Sequence, residues 1–160
     1  MTTYYLQMLI PQQLRSKPKP EHLEIIQAQI PNYRVNRFLY SFVGEAWQWT
    51  DKLVWSDEAW ECYAHNPKLY TYIAYYHGSI AGYYELEVHE HGDVEIVYFG
   101  LSPEYIGKGL GGYLLTHAIE SAWKLSEVRR VWVHTCSLDH EGALANYQAR
   151  GFEVYLKEEG

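Results

Sequence analysis

The stretch Tyr105-Ile106-Gly107-Lys108-Gly109-Leu110-Gly111-Gly112 decides the fold of this 160-residue chain. It joins a nearly continuous apolar segment, Val94 to Leu101, to an apolar stripe that predicts a helix from about Gly109 to Lys124. The four glycines let the backbone approach a ligand closely, and the start of the helix adds positive partial charge. The natural ligand of such a loop is a phosphate or a pyrophosphate.

Two other phosphate-binding loops fit this stretch poorly. A P-loop requires Ser or Thr after its Gly-Lys pair, whereas Gly109 follows Lys108 here. Gly107, Gly109 and Gly112 satisfy the dinucleotide pattern G-x-G-x-x-G, but the position about 20 residues further on lies in Val131-Trp132-Val133 rather than at an acid. A purely structural turn is the remaining alternative, and one or two glycines would suffice for it.

Hydrophobic periodicity outward from the loop predicts alternating strands and helices, without an internal repeat or a long linker. This order predicts one domain over residues 1–160, of the α/β (α+β) class with a mixed, mostly antiparallel sheet. The predicted elements are a strand at Thr3–Ile10, helices at Glu21–Ile30 and Asn32–Trp47, a short helix from Ser56 to Asn66, strands at Leu69–Tyr76, Ile80–Val88 and Val94–Leu101, the helix at Gly109–Lys124, a strand at Val128–Thr135, a helix at Glu141–Arg150 and a strand from Phe152 to Leu156.

Composition excludes several classes of protein. The formal net charge of −7 disfavours nucleic acid as a partner. No apolar run approaches the roughly 18 residues of a membrane helix, and no export signal is visible. Two cysteines, Cys62 and Cys136, do not form a disulfide framework, so we expect a soluble protein in the reducing cytoplasm.

The loop and a late segment, Asp139 to Phe152, together resemble the GNAT superfamily of acetyl-CoA-dependent N-acetyltransferases. The loop is similar to the family pattern R/Q-x-x-G-x-G/A, with Gly109 and Gly111 at the glycine positions and Ile106 in place of the usual Arg or Gln. The late segment is similar to the family's helix that carries a Tyr, here Tyr147, and ends in Gly-Phe. His140 or Asp139 stands where the family often has Asn.

The resemblance covers residues 69–156 best and implies where acetyl-CoA binds. The sheet would open between the strands ending near Leu101 and Thr135, with acetyl-CoA in the opening and the acceptor beside helices in about residues 21–66. The family's dimers imply a homodimer here. The implied acetyl-CoA-binding residues are Phe99, Gly100, Leu101, Gly107, Lys108, Gly109, Leu110, Gly111, Gly112, Asp139 and His140.

Acetyl transfer to an amine requires a base and a donor. An alkyl amine with a pKa of about 10.4 arrives protonated, and negative charge then develops on the departing sulfur. The resemblance makes Tyr147 the candidate acid, with a packed aromatic residue as the alternative. Glu95, a carboxylate within an apolar strand, is the candidate base, and a structural ion pair is equally compatible with its position. Glu85 and Glu87 are further carboxylates that would suit a cationic acceptor.

Other side chains have simpler interpretations. His134, Cys136 and His140 are common metal ligands but lack a fourth partner, so we expect no metal. Cys136 is expected to be a small buried hydrophobe, and Asp139 to cap the following helix. The aromatic residues between Gly44 and Trp60 either line the acceptor site or belong to the core.

Two classes of function remain open. The first is an N-acetyltransferase that moves the acetyl group of acetyl-CoA directly to a primary amine, which is a small amine, an amino acid, an antibiotic or a peptide. The second is a non-catalytic GNAT-like module that binds acyl-CoA for sensing or assembly.

Overall fold

A seven-stranded mixed sheet with helices on both faces forms the framework of the protein. A computed structural model describes residues 1–160. The strands are β1 (Thr2–Met8), β2 (Leu23–Gln27), β3 (Leu69–Tyr76), β4 (Ser79–Val88), β5 (Asp93–Leu101), β6 (Arg130–Cys136) and β7 (Glu153–Glu159). The helices are α1 (Tyr33–Gly44), α2 (Asp57–Ala64), α3 (Gly111–Trp123) and α4 (Ala143–Ala149). None of the helices is long and apolar enough to cross a membrane.

The strand order is β2-β3-β4-β5-β6-β1-β7, and every neighbouring pair is antiparallel except β5 and β6. The predicted class, a mixed and mostly antiparallel sheet, is therefore confirmed. The parallel pairing of β5 with β6 covers only three residue pairs, from Asp93 opposite Arg130 to Glu95 opposite Trp132. Beyond Glu95 the two strands diverge, so the predicted opening in the sheet is present.

A bulge in β5 lies at the start of this opening. Tyr98 is opposite Glu85 and Ile96 is opposite Leu86, so one extra residue, Val97, is accommodated on β5. Bulges of this kind bend a strand and redirect its side chains. On the face of β5 that carries Glu95, the next side chain is therefore that of Tyr98, where β5 enters the opening.

The two faces of the sheet carry unequal cores. The larger core packs α3 against the sheet through Leu114, Leu115 and Ile119, all fully buried. Burial of each such side chain contributes about 1.5–3 kcal/mol. The smaller core packs α1 against the opposite face through Leu39 and Val43. The opening between β5 and β6 therefore has helices on both sides.

The predicted helix at residues 21–30 is wrong, because this segment forms strand β2. Leu23 is buried, Glu24 is exposed and Ile26 is 57% exposed, an alternation that pairs the segment with β3 at the edge of the sheet. The first of the helices expected to border the acceptor therefore begins at Tyr33, with Asn32 as the N-cap of α1. The remaining predicted elements are confirmed in type, with ends that differ by a few residues.

Candidate functional site

The opening between β5 and β6 forms a cleft of about 790 Å³. One wall is β5 from Ile96 to Leu101, which pairs with β4 on one side and with no strand on the other. Backbone N–H and C=O groups on that free edge need partners. An extended ligand that pairs with them like an added strand satisfies this need, as the resemblance implies for Phe99, Gly100 and Leu101.

The glycine loop borders one end of the cleft. Gly107 and Gly109 have φ values of +87° and +79°, which favour glycine, and nothing lies within 4 Å of a Cβ placed on either. Helix α3 then starts with no side-chain cap and no acidic residue in its first turn. The first backbone bond within α3 runs from Leu114 N to Leu110 O, so the amides of residues 111–113 have no partner within the helix. This is an open anion site.

Two cations that sequence reasoning missed lie at this helix start. A Cβ at Gly112 would be 2.5 Å from Arg150 Nη1 and 3.0 Å from Lys17 Cδ. Arg150 is 8% exposed, its Nε has no hydrogen-bond partner, and it forms no ion pair. A buried guanidinium without a counterion is costly, so a phosphate at this position would satisfy both the guanidinium and the free amides. The site therefore fits the pyrophosphate of an acyl-CoA.

Most of the predicted acetyl-CoA-binding residues line the cleft, and Lys108 is the exception. Lys108 is exposed and lies outside the cleft wall. Leu110 lines the cleft and also reaches the larger core, so only its backbone is available to a ligand. The cleft-lining members of the predicted set are Phe99, Gly100, Leu101, Gly107, Gly109, Leu110, Gly111, Gly112, Asp139 and His140.

Asp139 does not cap α4, contrary to the expectation from the sequence. The N-cap of α4 is Gly142, which provides no side chain. The Asp139 carboxylate instead accepts hydrogen bonds from Thr135 Oγ1 at 2.5 Å, Cys136 N at 3.0 Å and Trp49 Nε1 at 3.1 Å. It thereby closes the turn after β6 and ties that turn to the segment after α1.

Tryptophans of the segment between α1 and α2 cover the cleft. Trp49 reaches across to Asp139, and the ring of Trp47 meets the ring of His140 edge-on at 5.2 Å between centroids. Both tryptophans line the cleft, whereas Trp60 is 2% exposed and belongs to the core. Some of these aromatic residues therefore line the cleft, and others belong to the core.

Tyr147 lies in the wall of the cleft at 5% exposure, beside Phe99. Its hydroxyl makes no hydrogen bond to another protein group. Burial raises the pKa of Tyr147 above the usual 10.0, with a smaller contribution from the negative charge of Asp139. The side chain is therefore a protonated hydrogen-bond donor with no partner of its own.

Glu95 is buried beneath two histidines rather than exposed in the cleft. His89 Nε2 donates to Glu95 Oε1 at 2.9 Å, and His134 Nδ1 lies 3.6 Å from Glu95 Oε2. The side chain of Glu95 is 11% exposed and that of His134 is 47% exposed. His134, but not Glu95, lines the cleft. The neighbouring carboxylate of Glu95 raises the pKa of His134 above the usual 6.5.

The three residues considered as metal ligands do not converge. His134 pairs with Glu95, His140 lies against Trp47, and Cys136 lines the cleft in a partly exposed position. Cys136 is therefore not the buried hydrophobe expected from the sequence. A different set, Glu87, His89 and Glu95, brings its ligand atoms within 4.8 Å of one another.

Glu85 is fully buried on the α1 side of β4. Its carboxylate accepts hydrogen bonds from Tyr63 Oη at 2.5 Å, Asn36 Nδ2 at 2.5 Å and Thr71 Oγ1 at 3.2 Å. Burial raises its pKa above the usual 4.5, and the three donors oppose that effect. Glu85 thus joins α1, α2 and two strands on the α1 side of the sheet.

Comparison with known proteins agrees with this geometry. A model of the Acetyltransferase (GNAT) family matches residues 24–152, and the chain belongs to that family. Among solved structures, a GCN5-related N-acetyltransferase from Sphaerobacter thermophilus is similar at a TM-score of 0.72 and 16% identity, and one from Kribbella flavida at 0.68 and 15%. An IAA acetyltransferase from Bacillus cereus is similar at a TM-score of 0.62 and 25% sequence identity.

The lengths of these relatives differ from that of this chain. The matches cover 98% of this chain and 49% of the Sphaerobacter protein, and 96% of this chain and 55% of the Kribbella protein. For the Bacillus protein the shares are 83% and 79%. No curated protein matches the sequence. The chain thus corresponds to about half of the two longer relatives.

Proposed function

We propose that this chain is an acetyl-CoA-dependent N-acetyltransferase that moves the acetyl group directly to a primary amine. One observation carries the proposal: the free edge of β5 leads from the glycine loop, where Arg150 lacks a counterion, to a cleft bordered by Tyr147 and His134. A phosphate site, an extended edge and two proton-handling side chains are the parts that acetyl transfer from a CoA thioester needs.

Binding of acetyl-CoA is assigned to the loop and to β5. The amides of Gly111 and Gly112, with Arg150 and Lys17, suit the pyrophosphate. The free edge of β5 suits the amides of the pantetheine arm. When bound, acetyl-CoA supplies a thioester carbonyl that an amine attacks while the sulfur departs.

Tyr147 acts in this proposal by donating a hydrogen bond toward the departing sulfur. Its pKa lies above 10.0, whereas a thiol has a pKa of about 8.5, so full transfer of the phenolic proton is uphill. A hydrogen bond to the developing negative charge requires no such transfer and still stabilises it. Tyr147 is therefore assigned as a donor that keeps its proton.

His134 is the residue that receives the proton of the amine in this proposal, and Glu95 positions it. His134 lines the cleft, and its raised pKa makes the imidazole a stronger base for the proton of the amine. Glu95, behind the imidazole, orients the ring and stabilises the imidazolium that forms. The sequence had instead indicated Glu95 as the base.

Two measurements test the proposal. Thermal unfolding is followed with and without acetyl-CoA, and with NAD as the control ligand. Acetyl-CoA at one hundred times its Kd adds about 2.7 kcal/mol of stability, which raises the Tm by several degrees. Release of CoA thiol that depends on an added amine is then measured. No shift in Tm contradicts the acetyl-CoA assignment, and a shift without amine-dependent release favours the non-catalytic module.

A further inference from the structure

A lysine of this chain occupies a site built from aromatic rings beside the cleft. Lys52 lies in the segment between α1 and α2 and turns inward, where its Nζ is 4.0 Å from the ring centroid of Trp55, 4.9 Å from that of Tyr63 and 5.3 Å from that of Tyr98. The three rings come from the segment before α2, from α2 itself and from β5. An ammonium surrounded in this way is held by cation–π attraction.

The Lys52 ammonium has no acceptor of its own in this position. No carboxylate oxygen lies within 4.0 Å of Nζ, and Nζ donates no hydrogen bond to another protein group. Among the carboxylates, Glu85 acts most strongly on the pKa of Lys52, and Glu85 is tied to the cage because Tyr63 donates to it. Burial lowers the pKa of Lys52 from the usual 10.5, and Glu85 opposes that effect. The Lys52 ammonium is therefore held by the three rings, without a carboxylate paired to it.

This group of side chains is continuous with the cleft. Tyr98 lines the cleft and lies opposite Glu85 at the bulge of β5. Thr50 and Asp51, which precede Lys52, also line the cleft. The backbone N of Lys52 is held by Tyr40 Oη at 3.2 Å, whereas the neighbouring Val54 is 88% exposed. Lys52 thus lies between the cleft and an exposed stretch of the same segment.

We propose that this aromatic cage, formed by Trp55, Tyr63 and Tyr98 above Glu85, is a binding subsite for an alkylammonium group of the acceptor, and that Lys52 fills it until the acceptor arrives. The inference rests on the proposed function, because it names the acceptor class of that reaction. Cation–π attraction acts on a charged nitrogen, whereas the nitrogen that attacks a thioester must be neutral.

The caged nitrogen and the reacting nitrogen are consequently different atoms. The acceptor class is an aliphatic diamine or polyamine, with one protonated nitrogen in the cage and a second, unprotonated nitrogen at the thioester. The unbranched four-carbon stem of Lys52 indicates the shape that the cage admits. The overall charge of −7 is consistent with attraction of such a polycation.

The test measures binding without acetyl-CoA, so that its outcome does not depend on catalysis. Lys52→Ala empties the cage, and n-butylammonium, which has the shape of the lysine side chain, is titrated by calorimetry. We expect Lys52→Ala to bind one equivalent at least about tenfold more tightly than the unaltered protein, which holds its own lysine in the cage. Butan-1-ol, a neutral probe of similar size, is expected not to bind.

Control variants locate the effect in the cage. Lys68→Ala removes an exposed lysine that lies over no ring and is expected to bind like the unaltered protein. Lys52→Ala combined with Trp55→Leu is expected to lose the binding of n-butylammonium. If Lys52→Ala does not fold, as judged by circular dichroism, Lys52→Gln removes the charge with a smaller change in volume. Equal binding of n-butylammonium by Lys52→Ala and Lys68→Ala, or equal binding of butan-1-ol, overturns the proposal.

A kinetic measurement separates this inference from the proposed function. With acetyl-CoA present, Lys52→Ala is expected to lower the KM for 1,4-diaminobutane about tenfold, with little change in kcat. Binding of n-butylammonium in a protein that acetylates no amine supports the cage and contradicts the enzyme. Acetylation of 1,4-diaminobutane with an unchanged KM in Lys52→Ala contradicts the cage and supports the enzyme.

Discussion

The role of the Tyr147 hydroxyl can be tested without changing the packing of its ring. Tyr147→Phe keeps the ring that packs against Phe99 and removes only a hydroxyl that has no partner in the protein. We expect kcat to fall about 10-fold to 100-fold, the range for one hydrogen bond to a charged group. The Kd for acetyl-CoA, measured by calorimetry, is expected to stay within about twofold.

The matched control for this change is Tyr155→Phe. Tyr155 is 41% exposed on β7 and does not line the cleft, and its variant is expected to turn over normally. Unaltered kcat in Tyr147→Phe would remove the hydroxyl from the reaction.

The pair Glu95 and His134 predicts in which direction the pH dependence of activity shifts when the pair is broken. The nearby carboxylate of Glu95 raises the pKa of His134, and His134 accepts a proton only above that pKa. The acidic limb of kcat/KM therefore rises with pH through the pKa of His134 in the free protein. Glu95→Gln removes the charge that raises this pKa, so the limb is expected to move to lower pH while activity at high pH persists in reduced form.

Glu87→Gln provides the control, since Glu87 contacts His89 at 3.6 Å and forms no ion pair with His134. Its acidic limb is expected to stay in place. Loss of activity across the whole pH range in Glu95→Gln, with the limb abolished rather than moved, would instead make Glu95 the base itself.

At the scale of the element, the start of α3 is completed by residues from two other parts of the chain. Lys17 N donates to Thr116 Oγ1 at 3.0 Å, which holds the segment after β1 against α3, and Arg150 ends α4. Arg150→Met keeps an unbranched stem and removes the charge that has no counterion. We expect the Kd for acetyl-CoA to rise at least about tenfold, because a charged bond to phosphate is lost.

The stability of the free protein is expected to move in the opposite direction. Replacing a buried, unpaired charge with an apolar side chain is neutral or stabilising, so the Tm without ligand is expected to stay or rise. Arg129→Met, which changes an exposed arginine, serves as the control for both measurements. A fall in Tm without a change in Kd would mean that Arg150 is structural.

The sequence could predict the parts of the site that lie within one short stretch of the chain, and not those that distant segments bring together. The glycine loop and the position of Tyr147 follow from local pattern, because each belongs to a short continuous stretch of the chain. Lys17 lies far from the loop in sequence, so no local pattern could bring the two together. The cage around Lys52 likewise depends on tertiary contacts alone.

Strand β2 was mispredicted for a related reason. Its apolar residues Leu23, Ile26 and Ile30 recur at helical spacing, yet Ile26 and Ile30 are exposed and only the pairing with β3 decides the conformation. An edge strand of five residues carries a weak periodic signal, and tertiary context overrides it. Asp139 was mispredicted because its oxygens find closer donors in the turn after β6 than at α4.

At the scale of the whole molecule, the cleft lies between two parts of one sheet. Strands β2 to β5 form one part, and β6, β1 and β7 form the other, with three residue pairs of β5 and β6 as the direct strand contact. Trp49 and Asp139 add a contact across the cleft. A sheet joined at one end and open at the other provides a free strand edge without exposing the core on either side.

The last prediction concerns β1, which holds the second part of the sheet together by pairing with both β6 and β7. Leu6 of β1 is fully buried in the larger core, whereas Leu156 of β7 is 44% exposed. We expect Leu6→Ala to lower the free energy of unfolding by about 2–5 kcal/mol and Leu156→Ala to change it by about 0.5 kcal/mol or less, as measured in urea. Because Leu6 packs in the core that α3 shares with the strands on both sides of the cleft, unfolding of Leu6→Ala is expected to remain a single transition with an unchanged m value. Two transitions would mean that the parts of the sheet on either side of the cleft unfold independently.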